Sequence, residues 1–154
     1  MTELTWVLAP FHELTNDQLY DLLRLRSEVF VVEQNCVFLD MDNKDQQCYH
    51  LLGYRQQQLV AYTRLVPIGV AYKDYSSIGR VVSSPAARGT GIGRLLMQQS
   101  IEALYQLWGR QPIKIGAQCY LRSFYESLGF VQCGPVYDED GIDHMPMLLA
   151  AEAS

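Results

Sequence analysis

Between Ile78 and Trp108 a β-branched run breaks into a glycine-rich turn and leaves it as an amphipathic helix. Ile78-Gly79-Arg80-Val81-Val82 has the composition of a strand. Pro85 ends it, and Arg88-Gly89-Thr90-Gly91-Ile92-Gly93-Arg94 follows. Apolar side chains then recur at Ile92, Leu95, Leu96, Met97, Ile101, Leu104 and Trp108, close to helical spacing. A strand that enters a helix through such a turn makes an anion site. The first helical N–H groups lack internal partners, and the helix dipole places partial positive charge there. Gly89, Gly91 and Gly93 carry no Cβ, so a ligand can lie against the backbone.

The residues around the glycines narrow the ligand. A Walker loop needs Lys followed by Ser or Thr after its last glycine. Here Arg94 and Leu95 follow. A dinucleotide fold needs G-x-G-x-x-G and an acidic residue about 20 positions on. The spacing here is G-x-G-x-G, and Trp108–Gln118 holds no Asp or Glu. Arg88–Gly93 instead resembles the Q/R-x-x-G-x-G/A loop with which the GNAT (Gcn5-related N-acetyltransferase) superfamily grips the diphosphate of coenzyme A. A glycine turn that binds nothing is the plain alternative. Three glycines at a helix start would then cost conformational entropy for no evident gain in folding.

The element order agrees with that resemblance. Thr5–Leu8 is a candidate first strand. Thr15, with Gln18 three residues on and Leu14 and Leu19 as a hydrophobic staple, predicts a helix ending near Glu33–Asn35. Asp40–Gln47 reads as an acidic loop. His50–Arg55 and Leu59–Val66 read as strands joined at Arg55–Gln58, and Pro67–Ser77 as a loop. Gly109 is a fitting end to the central helix. Ile113–Ala117 is a short strand, Tyr120–Leu128 a helix, Phe130–Val136 a strand, Tyr137–His144 an acidic turn and Met145–Leu149 a last strand. The expected fold is α/β with a central mixed, mostly antiparallel sheet flanked by helices, formed by one domain over residues 1–154. Gln118–Phe130 is similar to the family's N-x-x-A-x-x-x-Y-x-x-x-G-F segment. Val29–Cys36, the Gly116-Ala117-Gln118 turn and Glu139–His144 resemble the ElaA branch of the superfamily.

Composition bounds the partners. The 154 residues carry a net charge of −5, which argues against a general nucleic-acid or anionic-membrane surface. No apolar run is long enough to span a membrane, and Met1-Thr2-Glu3-Leu4 lacks the features of a secretion signal. Cys36, Cys48, Cys119 and Cys133 form no C-x-x-C or Cys/His cluster, so four free thiols in the cytoplasm, and no metal, are expected.

The resemblance implies an amine attacking the thioester of acetyl-CoA. Backbone N–H groups from Gly89 through Thr90, Gly91, Ile92 and Gly93 to Arg94 would take the diphosphate, with Arg88 and Arg94 adding charge. Val81, Val82 and Ser83 would pair with the pantetheine arm, beside a splay in the sheet. A backbone N–H near Val82 is the natural donor to the oxyanion. Gln118 stands where many relatives carry Asn; it keeps the amide and adds a methylene. Tyr125 occupies the family's acid position. A thiol near about 8.5 lies below a phenol near about 10, so Tyr125 is a feasible general acid. Its plain alternative is a core aromatic.

The base is less constrained, because Ile113–Ala117 carries no Glu. Glu33 is the expected base, with a solvated helix-end carboxylate as its alternative. Glu139, Asp140 and His144 are further candidates, though His144 reads first as a hydrogen-bonded surface imidazole. Arg80, mid-strand, needs a partner: it either pairs with a buried acid for structure, the expected case, or lines the cleft; His50 reads as structural. The acceptor stays open among small amines, polyamines, amino acids and protein N-termini. The acidic segments Asp40–Asp45 and Asp138–Asp143 tilt it toward a cation. A sheet-edge homodimer is compatible with the pattern. Two rivals remain: a non-catalytic acyl-CoA sensor and a nucleotide-binding switch.

Overall fold

Thr15 caps the first helix through a complete capping box. Its Oγ1 accepts from the Gln18 amide at 3.0 Å, and Gln18 Oε1 accepts from the Thr15 amide at 3.0 Å. The computed structural model describes residues 4–151, so the leader reading on Met1–Leu4 falls mostly outside the described residues. In chain order the elements are β1 (Leu4–Pro10), α1 (Asn16–Arg26), β2 (Tyr49–Arg55), β3 (Gln58–Val66), β4 (Ser77–Ser83), α2 (Ile92–Trp108), β5 (Ile113–Gln118), α3 (Arg122–Ser127), β6 (Val131–Gln132), β7 (Tyr137–Glu139) and β8 (Ile142–Leu149). Past Arg26, α1 widens into a π-helical turn, Ser27–Glu33, and Asn35 turns the chain at φ +50°.

The fold is α+β, built on two antiparallel sheets. One has the order β1-β2-β3-β4; the other is β5-β8-β6, with β7 paired to β8. Alternation along the strands gives the first sheet two apolar faces. Leu52, Tyr62 and Val82 pack with Leu22, Leu25 and Val29 of α1. Leu51, Val60 and Ala61 pack with Ile92 and Leu96 of α2. Met97 and Leu104 of α2 also cover Ile113, Ile115 and Ala117 of β5 and Met145 and Met147 of β8. Thus α2 clamps both sheets from one side.

Two expectations change at the C-terminal end. Phe130–Val136 is not one strand: only Val131–Gln132 pairs, and Phe130 is a core side chain outside the ladder. Tyr137–His144 is not a loose turn but a hairpin, with Asp140 (φ +52°) and Gly141 (φ +83°) at its tip. Asp-Gly favours this tight reversal because both residues tolerate left-handed backbone.

The acidic segment Asp40–Asp45 also differs from its expected role. It is pinned by three arginines, Arg26 of α1 and Arg64 and Arg80 of the first sheet. Arg26, fully buried, donates from Nε to Asp40 at 2.7 Å and from Nη1 to Asp45 at 2.9 Å. Arg64 meets Asp42 through both terminal nitrogens at 2.8 Å and shares Asp45 at 2.9 Å. Arg80 pairs with Asp40 at 2.8 Å, as its mid-strand position required. These carboxylates are neutralised inside the protein, so they do not support a cationic acceptor. His50 is structural, as expected: Tyr62 Oη lies 2.6 Å from Nδ1, and Nε2 lies 2.9 Å from the Asp45 carbonyl.

Candidate functional site

The two sheets meet at one point. Ser76 and Ile113 form a single parallel bridge, and the Lys114 amide donates to the Ser76 carbonyl at 3.0 Å. Beyond that bridge β4 and β5 share no ladder, so their far ends, Val82–Ser83 and Gln118, border an open cleft. A bulge in β4 helps create it. Between the pairs Arg64↔Gly79 and Tyr62↔Val82, β4 holds two residues where β3 holds one. Arg80 takes up the excess at φ +50°. The splay expected beside Val82 is therefore present.

The cleft leads to the start of α2. Gly89 and Gly91 sit at φ +82° and +78°, where a side chain would be strained, and a Cβ on either would meet no protein atom within 4 Å. Gly93 serves another purpose: a Cβ there would touch the Phe124 ring at 3.7 Å, so it sets the approach of α2 to α3. Gly91 is the N-cap and has no side chain to cap with. The N–H groups from Gly89 to Arg94 donate to no acceptor among the described residues. Thr90 does not point into this nest; its hydroxyl donates to the Ala87 carbonyl at 2.6 Å and fixes the turn.

The arginines at either end of the loop are engaged by the protein. Arg88 meets Glu33 through two parallel hydrogen bonds, Nη1–Oε2 at 2.6 Å and Nη2–Oε1 at 2.7 Å, and its Nη2 lies 3.2 Å from the Ser83 carbonyl. That grip holds the Glu33 carboxyl below its usual range, mainly through the hydrogen bonds. Arg94 turns toward the end of α3, donating to Ser127 Oγ at 3.2 Å.

Tyr125 lies on α3 with its ring against Phe124 and Phe130, centroids 5.1 and 5.9 Å away. It is buried, and burial pushes its phenol up to about 12. No hydrogen bond within the described residues occupies its hydroxyl, so the ring has a core position and the oxygen stays available. Gln118 ends β5, and its Oε1 is buried without a partner. An open amide nest, an unpaired strand edge and an orphaned buried acceptor are what a long ligand with a diphosphate and amide groups requires.

The GNAT acetyltransferase domain model matches residues 27–151, which span this cleft from the π-helical turn to the end of β8. The chain belongs to the GNAT family. ElaA of Escherichia coli is 41% identical over 146 residues, covering 94% of this chain and 95% of ElaA. The crystal structure of ElaA superposes with a TM-score of 0.87 over 94% of this chain and 98% of that one. An acyl-CoA N-acyltransferase from Pseudomonas aeruginosa, 42% identical, superposes with a TM-score of 0.88 over 95% of this chain and 99% of that one. This GNAT chain therefore has the fold of an acyltransferase.

Sequence reading missed one cluster on the far face of β5. Gly116 leaves room for the Tyr137 hydroxyl, with Tyr72 Oη 3.6 Å from where a Cβ would stand. Lys114 lies over the Tyr72 ring at 4.9 Å and the Tyr75 ring at 5.7 Å. Tyr137 in turn stacks on His144, centroids 5.8 Å apart and planes 26° apart. The signal was present in Asp140-Gly141: a hairpin there makes Tyr137 and His144 cross-strand neighbours.

Proposed function

We propose that this protein is an acetyl-CoA-dependent N-acetyltransferase that transfers the acetyl group directly to an amine, working as one domain in the cytoplasm. The observation that supports it best is the continuity of two unpaired donor surfaces. The free edge of β4 runs to Ser83, and the uncapped amides of Gly89–Arg94 begin six residues later. The first surface suits the amide-bearing arm and the second suits the diphosphate. The cosubstrate supplies an activated acetyl thioester.

The chain's own groups divide the remaining work. The glycine loop binds, with Arg88 adding charge once it is shared with Glu33. The edge of β4 at Val81–Ser83 orients the arm; the Val82 amide is turned toward Tyr62 in the β3–β4 ladder, so the outward Ser83 amide is the donor for negative charge that develops on the carbonyl oxygen. Gln118 Oε1 accepts an N–H in the cleft. Tyr125 supplies the proton to the leaving thiolate; at about 12 its phenol stays protonated across the neutral range. Cys36, Cys48, Cys119 and Cys133 form no disulfide, which suits a reducing compartment.

An acceptor screen that detects released coenzyme A thiol, with mass analysis of the product, tests this. The expected result is an amine carrying one acetyl group. Thermal stabilisation by coenzyme A with no acetylated product across amines, polyamines, amino acids and peptides would instead establish a non-catalytic acyl-CoA-binding protein.

A further inference from the structure

An ammonium must lose a proton before it can attack, and Glu33 is poorly placed to take it. Both of its oxygens are held by Arg88, which also makes it a weaker base. His144 stands at the same end of the cleft. It is paired in register with Gln118, the last residue of β5. Met145 and Met147 face the α2 core, so alternation puts His144 on the opposite side, with Gly116 and Gln118.

The ring is fixed and directional. Its Nδ1 lies 2.8 Å from the Ile142 carbonyl, and a carbonyl only accepts, so Nδ1 carries a hydrogen. The neutral ring therefore presents a lone pair at Nε2. That nitrogen lies 3.4 Å from Glu139 Oε2. Before proton uptake it faces a carboxylate lone pair; afterwards it faces an ion-pair partner. From β7 the ring meets Tyr137 and Glu139; β5 contributes the neutral amide of Gln118; Asp143 beside it is exposed and registers with Asp138. Gln118 itself lies at the register position opposite His144.

The geometry points to His144 Nε2 as the proton acceptor for the attacking amine, with Glu139 as the residue that positions and stabilises the charged ring. This rests on the acetyltransferase reading. An N–H bond of the ammonium breaks and its proton bonds to Nε2. The freed lone pair forms the C–N bond at the thioester carbonyl, the C–S bond breaks, and sulfur takes the Tyr125 proton. A second proton from the new amide nitrogen restores the phenol through water. His144 releases its proton to solvent past Glu139, whose side chain is 58% exposed.

Two nucleophiles separate this role from binding. Benzylamine is cationic at neutral pH and needs deprotonation; hydroxylamine is uncharged and does not. His144→Gln should lower kcat/KM for benzylamine by about 100-fold or more and flatten its acid limb. Transfer to hydroxylamine and the Kd for coenzyme A should stay within a few-fold. Glu139→Gln, on an exposed side chain, should lower kcat/KM for benzylamine by about tenfold while transfer to hydroxylamine stays within a few-fold. Wild-type rates and an unmoved limb in His144→Gln would overturn the assignment, as would a neutral ring protonated on Nε2. Wild-type protein that transfers to neither nucleophile, nor to any amine, polyamine, amino acid or peptide of the acceptor screen, would sink the acetyltransferase reading itself.

Discussion

Glu33 holds Arg88 in a two-point grip, 2.6 and 2.7 Å, at the threshold of the glycine loop. The same guanidinium is a candidate partner for the diphosphate, so the two anions compete. Both side chains are 40% exposed, and solvent weakens the pair. Glu33→Gln should free Arg88 and tighten coenzyme A binding by about threefold to tenfold at low salt, a difference of about 1 kcal/mol. Isothermal titration calorimetry measures this. Weaker binding in the variant would mean that Glu33 helps to form the site.

Removing the Tyr125 hydroxyl should separate chemistry from binding. Tyr125→Phe keeps the ring between Phe124 and Phe130 and should leave coenzyme A affinity within about threefold. Turnover should fall by roughly 100-fold or more. Burial holds the wild-type phenol near about 12, so it should contribute no loss of activity on the alkaline side below about pH 10. Equal turnover in the variant at several pH values would remove Tyr125 from the mechanism.

The arginine–aspartate cluster should dominate acid stability. Burial alone would raise Asp42 and Asp45, but hydrogen bonds and charge from Arg64, and for Asp45 from Arg26, outweigh it and hold both well below the usual carboxylate range. A depressed folded-state value contributes stability above the unfolded value, near about 4, which is lost as pH falls toward the folded value. Urea midpoints should therefore drop steeply below about pH 4. Arg26→Ala, which leaves Asp40 and Asp45 short of a buried partner, should cost about 3–5 kcal/mol at neutral pH. A midpoint unchanged between pH 6 and pH 3 would contradict this account.

Gly91→Ala tests the loop itself. A Cβ there meets no protein atom, but φ +78° is left-handed, so the change should cost about 1 kcal/mol of stability. Its methyl group would project into the space assigned to the ligand. Coenzyme A affinity should fall by at least about tenfold, as read by thermal shift and calorimetry. A stability loss with unaltered affinity would place the diphosphate elsewhere.

Much of the fold was legible because local rules specify it. Thr15 and Gln18 declare a helix start, Gly109 at φ +85° ends α2, and alternating apolar residues mark β2 and β3. The Phe130–Val136 run misled because only Phe130 enters the core, while Val131 and Val136 are exposed; only Val131 and Gln132 find a strand partner. In Tyr137–His144, acidic character masked an Asp-Gly reversal.

By itself the sequence determined the strand, the glycine turn and the helix start of the cofactor loop, because backbone conformation and helix-end chemistry follow from neighbouring residues. It also placed Tyr125 on a helix. Only the tertiary structure decided which charges are free. Asp40, Asp42 and Asp45 are spent on Arg26, Arg64 and Arg80, Glu33 is held by Arg88, and Gln118 is left beside His144. Those outcomes depend on residues up to 55 positions apart meeting across sheets and loops, and no local pattern encodes such distances.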